Sequence, residues 1–136
     1  MRYLIDTHCL LWFQDNNPQM PERIMKLITE PANEIVFSQL SLFEIAIKQK
    51  IGKLPSFQAT VIDVYEQALK DRFDFLPLHN QHLQAYKNIP LLADHRDPFD
   101  RLLIATAYTE ALPVMTADKN FNRYPEQVQV VWNETE

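Results

Sequence analysis

Arg2-Tyr3-Leu4-Ile5-Asp6-Thr7-His8-Cys9-Leu10-Leu11-Trp12-Phe13-Gln14 is the stretch on which the fold reading turns. Residues 2–5 are short and apolar and end at an acid, as a buried first strand does. Residues 7–14 then read as a helix, with Leu10, Leu11 and Phe13 apolar. Outward from there the same alternation continues. A helix is expected over 21–30, with Ile24, Leu27 and Ile28 at helical spacing and Pro21 near its start. The β-prone segment 34–37 reads as a strand, and 40–51 as a helix stopping near Gly52 and Pro55.

A helix over 57–71 follows, with Val61, Val64, Tyr65 and Leu69 as its apolar stripe, then a strand over 73–76 and a short helix over 79–87. The strongest helix signal covers 98–111, opened by Pro98. Short strands are expected over 113–116, just before Asp118, and over 128–132. Short strands alternating with helices indicate an α/β layer fold with a mostly parallel sheet. In such sheets ligands bind outside the carboxyl ends of the strands, the rim where both Asp6 and Asp118 fall.

The 136 residues suggest one compact domain, 1–136, long enough to bury a core without disulfides or structural metal. Cys9 is the single cysteine, so no intramolecular disulfide forms, which fits a reducing cytoplasm. Its reading is a small core residue, since no activating partner is evident. The apolar runs are short and broken by charge, so no membrane span is expected, and the N-terminus reaches an acid too soon for a signal peptide. A net charge of −5 argues against gripping nucleic acid by bulk electrostatics, but not against a nuclease whose bound cations invert the local charge. With Gly52 the only glycine, Gly-rich phosphate cradles of the P-loop or Rossmann kind are absent.

Four segments set acids among apolar neighbours: Leu4-Ile5-Asp6-Thr7, Ser41-Leu42-Phe43-Glu44-Ile45-Ala46, Asp97-Pro98-Phe99-Asp100-Arg101 and Thr116-Ala117-Asp118. Such acids are costly unless paired, hydrogen-bonded or bound to metal. Converging on one rim they would repel each other, and a hard divalent cation such as magnesium removes that conflict. Each acid also has a plainer reading. Asp6 and Asp118 suit helix N-caps, Asp97 stands directly before a helical proline, and Glu44 can pair with Lys48 four residues on. The joint placement is what points to metal.

Leu4-Ile5-Asp6-Thr7-His8, Ser41 to Lys48 with Gly52-Lys53-Leu54, His95-Arg96-Asp97-Pro98-Phe99-Asp100-Arg101-Leu102-Leu103-Ile104-Ala105 and Thr116-Ala117-Asp118 together resemble VapC-type PIN domains across nearly the whole chain. The third block is the most specific. Phe43 departs from the tryptophan that relatives often carry there. The resemblance implies a three-layer α/β/α domain and an acidic pocket binding Mg²⁺ or Mn²⁺. It implies endonucleolytic RNA cleavage, a homodimer, and an antitoxin partner that blocks the site, with the −5 charge suiting a basic inhibitor segment.

By position in the motifs, Asp6, Glu44, Asp100 and Asp118 match the family's acids. Asp100 is preferred to Asp97 because it stands five residues before Ala105, and Asp97 is left as a supporting or capping residue. Thr7, Ser41 and Thr116 match or adjoin hydroxyl positions that support such a site. His95, Arg96 and Arg101 are candidate RNA contacts, with a structural role for His95 and helix cover or acid pairing for Arg101 as the alternatives. Two other functions compete: a catalytically silent PIN-like binding module, and an aspartyl phosphotransferase or phosphatase acting through Asp6. The second would need another Asp two residues after its nucleophile, where this chain has His8.

Overall fold

The computed structural model describes residues 1–95 and 97–132. In chain order it contains β1 (Arg2–Ile5), α1 (Thr7–Gln14), α2 (Glu22–Thr29), β2 (Glu34–Ser38), α3 (Gln39–Lys50) and α4 (Val61–Lys70). Then follow β3 (Asp74–Leu76), α5 (Asn80–Tyr86), α6 (Pro98–Glu110), β4 (Val114–Met115), a 3-10 turn (Lys119–Arg123) and β5 (Val130–Val131). The strands form one sheet in the order β3-β2-β1-β4-β5, and every neighbouring pair is parallel. The expected α/β fold is thus present, and the sheet is parallel throughout.

Strand side chains alternate between faces, and the two cores follow that alternation. Tyr3, Ile5, Ile35, Phe37 and Met115 pack on one face with Leu10 of α1, Ile24 of α2, Ile45 of α3 and Val64 of α4. Leu4, Val36 and Val114 pack on the other face with Leu103, Ile104 and Ala107 of α6 and with Phe121 and Tyr124. Helices therefore cover both faces, as a wholly parallel sheet requires. Among the described residues no helix is long and apolar enough to cross a membrane.

Side-chain caps set where α1, α3 and α6 start. Asp6 accepts from the Cys9 amide at 2.8 Å, Ser38 from Leu40 at 3.0 Å, and Asp97 from Phe99 at 2.9 Å. The helix expected over 57–71 begins instead at Val61. Thr60 and Asp63 form a reciprocal capping box there, and residues 57–60 lie outside the helix. The strands expected over 113–116 and 128–132 shorten to two residues each. Downstream of β4, Asp118 caps a 3-10 turn that the hydrophobic pattern did not announce. At the end of α6, Ala111 takes the left-handed conformation (φ 56°, ψ 46°) where a glycine would be strain-free.

Candidate active site

The strand order places β1 between β2 and β4, so chain connections leave it in opposite directions and open a crevice at the strands' carboxyl ends. Asp6 is the first residue past β1, and Asp118 follows β4 by three residues. Glu44 lies in the second turn of α3, and Asp100 in the first turn of α6. These acids, with Asp97, line one cavity of about 110 Å³ that also presents Thr7, Ser41 and Lys48.

Asp6 is almost wholly buried, and its carboxyl is pushed up to about 7. Burial is the main cause; the charges of Glu44 and Asp100 add to it, while the Thr116 hydroxyl and the Cys9 amide oppose it. Asp100 is pushed up to about 6, again chiefly by burial, with Asp97 and Asp118 adding and His95 opposing. Burial, with the neighbouring carboxylates adding to it, thus drives Asp6 and Asp100 toward the neutral form.

Each acid is held by a neighbour. The Thr7 hydroxyl lies 2.6 Å from Glu44 Oε1 and 2.9 Å from Ser41 Oγ. Its single proton goes to the carboxylate, which leaves the Thr7 oxygen free to accept from Ser41. Lys48 Nζ lies 3.2 Å from Glu44 Oε2. Thr116 Oγ1 accepts from the Asp118 amide at 3.0 Å, and Asp118 Oδ1 accepts from the Asn120 amide at 2.9 Å. Asp97 is exposed, and its carboxylate caps α6.

His95 and Arg101 are both buried. The His95 ring bridges Asp100 and the Tyr124 hydroxyl. Arg101 donates to the Tyr86 hydroxyl and to the His95 carbonyl, and its guanidinium lies 5.2 Å from the Tyr86 ring centre. Arg101 thus sits inside the packing beneath α6's first turn, engaged by protein groups rather than presented to a polyanion. Arg96 lies outside the described residues. Cys9 is buried and its thiol is pushed well above its ordinary value by that burial, which makes it a poor nucleophile.

Two supporting roles become definite in three dimensions. His95 holds Asp100, although its partner Tyr124 is remote in sequence. Lys48, visible in sequence as Glu44's partner, also faces the cavity.

Among the described residues no three Asp, Glu, His or Cys side chains stand as a ready-made metal clasp. The donor chemistry nonetheless suits a small hard divalent cation. All the acids offer oxygen, and magnesium retains much of its water shell and needs few direct carboxylates. Asp6, Glu44, Asp100 and Asp118 are the residues that could hold it.

The PIN-domain family model matches residues 3–127. The chain belongs to the PIN-domain family. Its fold is shared by chains of VapBC2 from Rickettsia felis bound to a promoter DNA fragment, at TM-score 0.66 and 15% identity over 98% of this chain and 100% of that one. DNA-bound VapBC from Salmonella typhimurium gives TM-score 0.66 and 18% identity over 96% and 97%. FitAcB from Neisseria gonorrhoeae gives 0.62 and 22% over 98% and 97%. A search of curated proteins returns no match. At these identities the structural likeness speaks for the fold of this PIN domain, and its chemistry must be argued from its own residues.

Proposed function

We propose that this PIN domain is a Mg²⁺- or Mn²⁺-dependent endoribonuclease and the toxin of a toxin–antitoxin pair. One observation carries the reading. Asp6, Glu44, Asp100 and Asp118, drawn from four separate segments, line a single cavity at the carboxyl edge of a parallel sheet. A purely structural role gives little reason to gather them, because burial, with their mutual repulsion adding to it, raises Asp6 to about 7 and Asp100 to about 6.

In this reading the four acids hold the ion. When bound, a divalent ion supplies water activation and charge neutralisation for in-line attack on a phosphodiester. The chain's other residues serve the acids. Thr7 donates to Glu44 and fixes its rotamer, and the Thr116 hydroxyl anchors the backbone at Asp118. His95 occupies one oxygen of Asp100 and so orients the other. Leu40, Phe99 and Phe121 wall the cavity with apolar surface, which strengthens electrostatic interactions inside it.

The partner belongs to the same proposal. The VapBC-5 structure from Mycobacterium tuberculosis is described as a member of a toxin–antitoxin family, and its fold is shared here at TM-score 0.56. An antitoxin with a basic segment would complement this chain's net charge of −5, and a homodimer is proposed on the same analogy.

The test is cleavage of RNA by purified protein in Mg²⁺ or Mn²⁺, with and without EDTA. Cleavage that needs the ion and vanishes in the Asp6→Asn/Asp100→Asn double variant supports the reading. Equal cleavage by both proteins would assign the activity to a contaminant. A second reading, a catalytically silent binding module, draws on the Lys48 ammonium already pairing with Glu44 in the cavity. Calorimetry separates the two, since a silent module would take up no Mn²⁺.

A further inference from the structure

We propose that Lys48 is a substrate-contacting residue whose ammonium binds a non-bridging oxygen of the RNA phosphate at the cavity. The proposal rests on the ribonuclease reading above and adds to it the group that receives the anion.

A phosphodiester entering this cavity meets Asp6, Glu44, Asp97, Asp100 and Asp118. A divalent ion offsets part of that negative charge, but the substrate adds its own. Among the described residues, Lys48 is the sole lysine or arginine lining the cavity. Arg101, which sequence alone offered for this task, is buried and engaged by Tyr86 and the His95 carbonyl.

Lys48 is held in place rather than waving in solvent. It lies one helical turn beyond Glu44 on the same face of α3, and its side chain is only 24% exposed. The corresponding pair on α2, Lys26 with Glu22, is 76% and 84% exposed and is an ordinary solvated contact. Both oxygens of Glu44 are already engaged, Oε1 by the Thr7 hydroxyl and Oε2 by the ammonium, so its charge is shared with Lys48. A metal ion drawn to Glu44 therefore competes with Lys48 for that carboxylate. An ammonium displaced from Glu44 needs a new anionic partner, and the phosphate is the one that arrives.

The opposing account makes Lys48 a counter-ion for Glu44 and nothing more. Both accounts predict that Lys48→Gln leaves Mn²⁺ affinity unchanged or raised, because a competitor for Glu44 is gone. They differ on RNA. A short fluorescein-labelled single-stranded RNA of random sequence is titrated with wild-type, Lys48→Gln and Lys48→Arg protein. Ca²⁺ stands in for Mg²⁺ to slow turnover, and fluorescence anisotropy is read over a range of salt. Mn²⁺ affinity is measured on the same proteins by calorimetry, and thermal melts check folding.

The expected result is RNA binding about five-fold weaker for Lys48→Gln, with a salt slope shallower by about 0.7, the value for one phosphate contact on a single strand. Lys48→Arg should keep the wild-type slope. If Lys48→Gln binds RNA with unchanged affinity and slope while Mn²⁺ binding is retained, the phosphate role is overturned and the metal reading survives. If the wild-type protein takes up no Mn²⁺, the metal reading falls and this proposal falls with it.

Discussion

The Nε2 atom of His95 lies 3.0 Å from Oδ2 of Asp100, and the opposite ring nitrogen lies 2.9 Å from the Tyr124 hydroxyl. With Asp100 ionised, Nε2–H donates to the carboxylate, and Nδ1 is then free to accept from Tyr124. The ring thereby holds one oxygen of a candidate metal ligand while the ring itself stays buried. Partners of this kind, one step behind the ligands, set ligand orientation in metal sites.

Replacing His95 by alanine should lower Mn²⁺ affinity about ten-fold, the usual scale for losing such a partner. It should also cost about 2 kcal/mol of stability, because buried polar groups lose their bonds. His95→Gln should recover part of the affinity. Calorimetry and thermal melts on the pair of variants check this. Unchanged Mn²⁺ affinity in a folded His95→Ala protein would show that Asp100 needs no support or binds no ion.

The raised acids give a pH dependence with a definite sign. Folding raises Asp6 from 3.8 to about 7 and Asp100 from 3.8 to about 6. Between those limits the folded protein holds more protons than the unfolded chain, so metal-free stability falls as pH rises through the window. Mn²⁺ reverses the trend, because the ion takes ionised carboxylates and releases their protons. Melting temperatures at several pH values, for wild type and Asp6→Asn/Asp100→Asn, isolate these two groups. The metal-free difference between the proteins should shift toward the variant as pH rises, and Mn²⁺ should stabilise wild type more at high pH than at low.

Asp118 and Asp97 should separate under amide substitution. Both are caps, and asparagine keeps the acceptor oxygen that each cap uses. Asp118→Asn should therefore melt at or above the wild-type temperature, with one less like charge in the cavity, while Mn²⁺ affinity and RNA cleavage drop by about ten-fold or more. An unchanged Mn²⁺ affinity would remove Asp118 from the ligand set.

Asp97→Asn should leave RNA cleavage within about three-fold of wild type, an effect of at most about 0.7 kcal/mol. Asp97→Ala should instead cost about 1 kcal/mol of stability through the lost cap of α6. Loss of cleavage in a well-folded Asp97→Asn protein would exchange the roles assigned here to Asp97 and Asp100.

Much of this architecture was legible where local chemistry and hydrophobic period agreed. Leu4 and Ile5 are buried on opposite faces and Asp6 both ends β1 and caps α1, so the boundary could be read to the residue. Pro98 and Asp97 marked the start of α6 in the same way. The helix read over 57–71 starts only at Val61, although Phe57 and Ala59 extend the apolar pattern upstream of it. The Thr60-Val61-Ile62-Asp63 capping signal was there to be read and outweighs that pattern. Asp6, Asp100 and Asp118 were findable because each sits at or near the start of an element, and Glu44 because it interrupts an apolar helix. The Lys48 pair and the Thr7, Ser41 and Thr116 hydroxyls were readable as well, but the contacts of His95 and Arg101 were not. His95 meets Tyr124 across 29 residues, and Arg101 folds inward onto Tyr86, contacts made by tertiary packing that leave no periodic trace.

The central claim is that the acids share one ion, and a crystal soaked in Mn²⁺ tests it most directly. Anomalous diffraction should show a peak in the cavity, with carboxylate oxygens of Asp6 and at least one of Glu44, Asp100 and Asp118 at about 2.2 Å, a normal length for a hard divalent cation. A saturating soak that leaves the cavity without a peak, or places Mn²⁺ only on surface acids, would contradict the account.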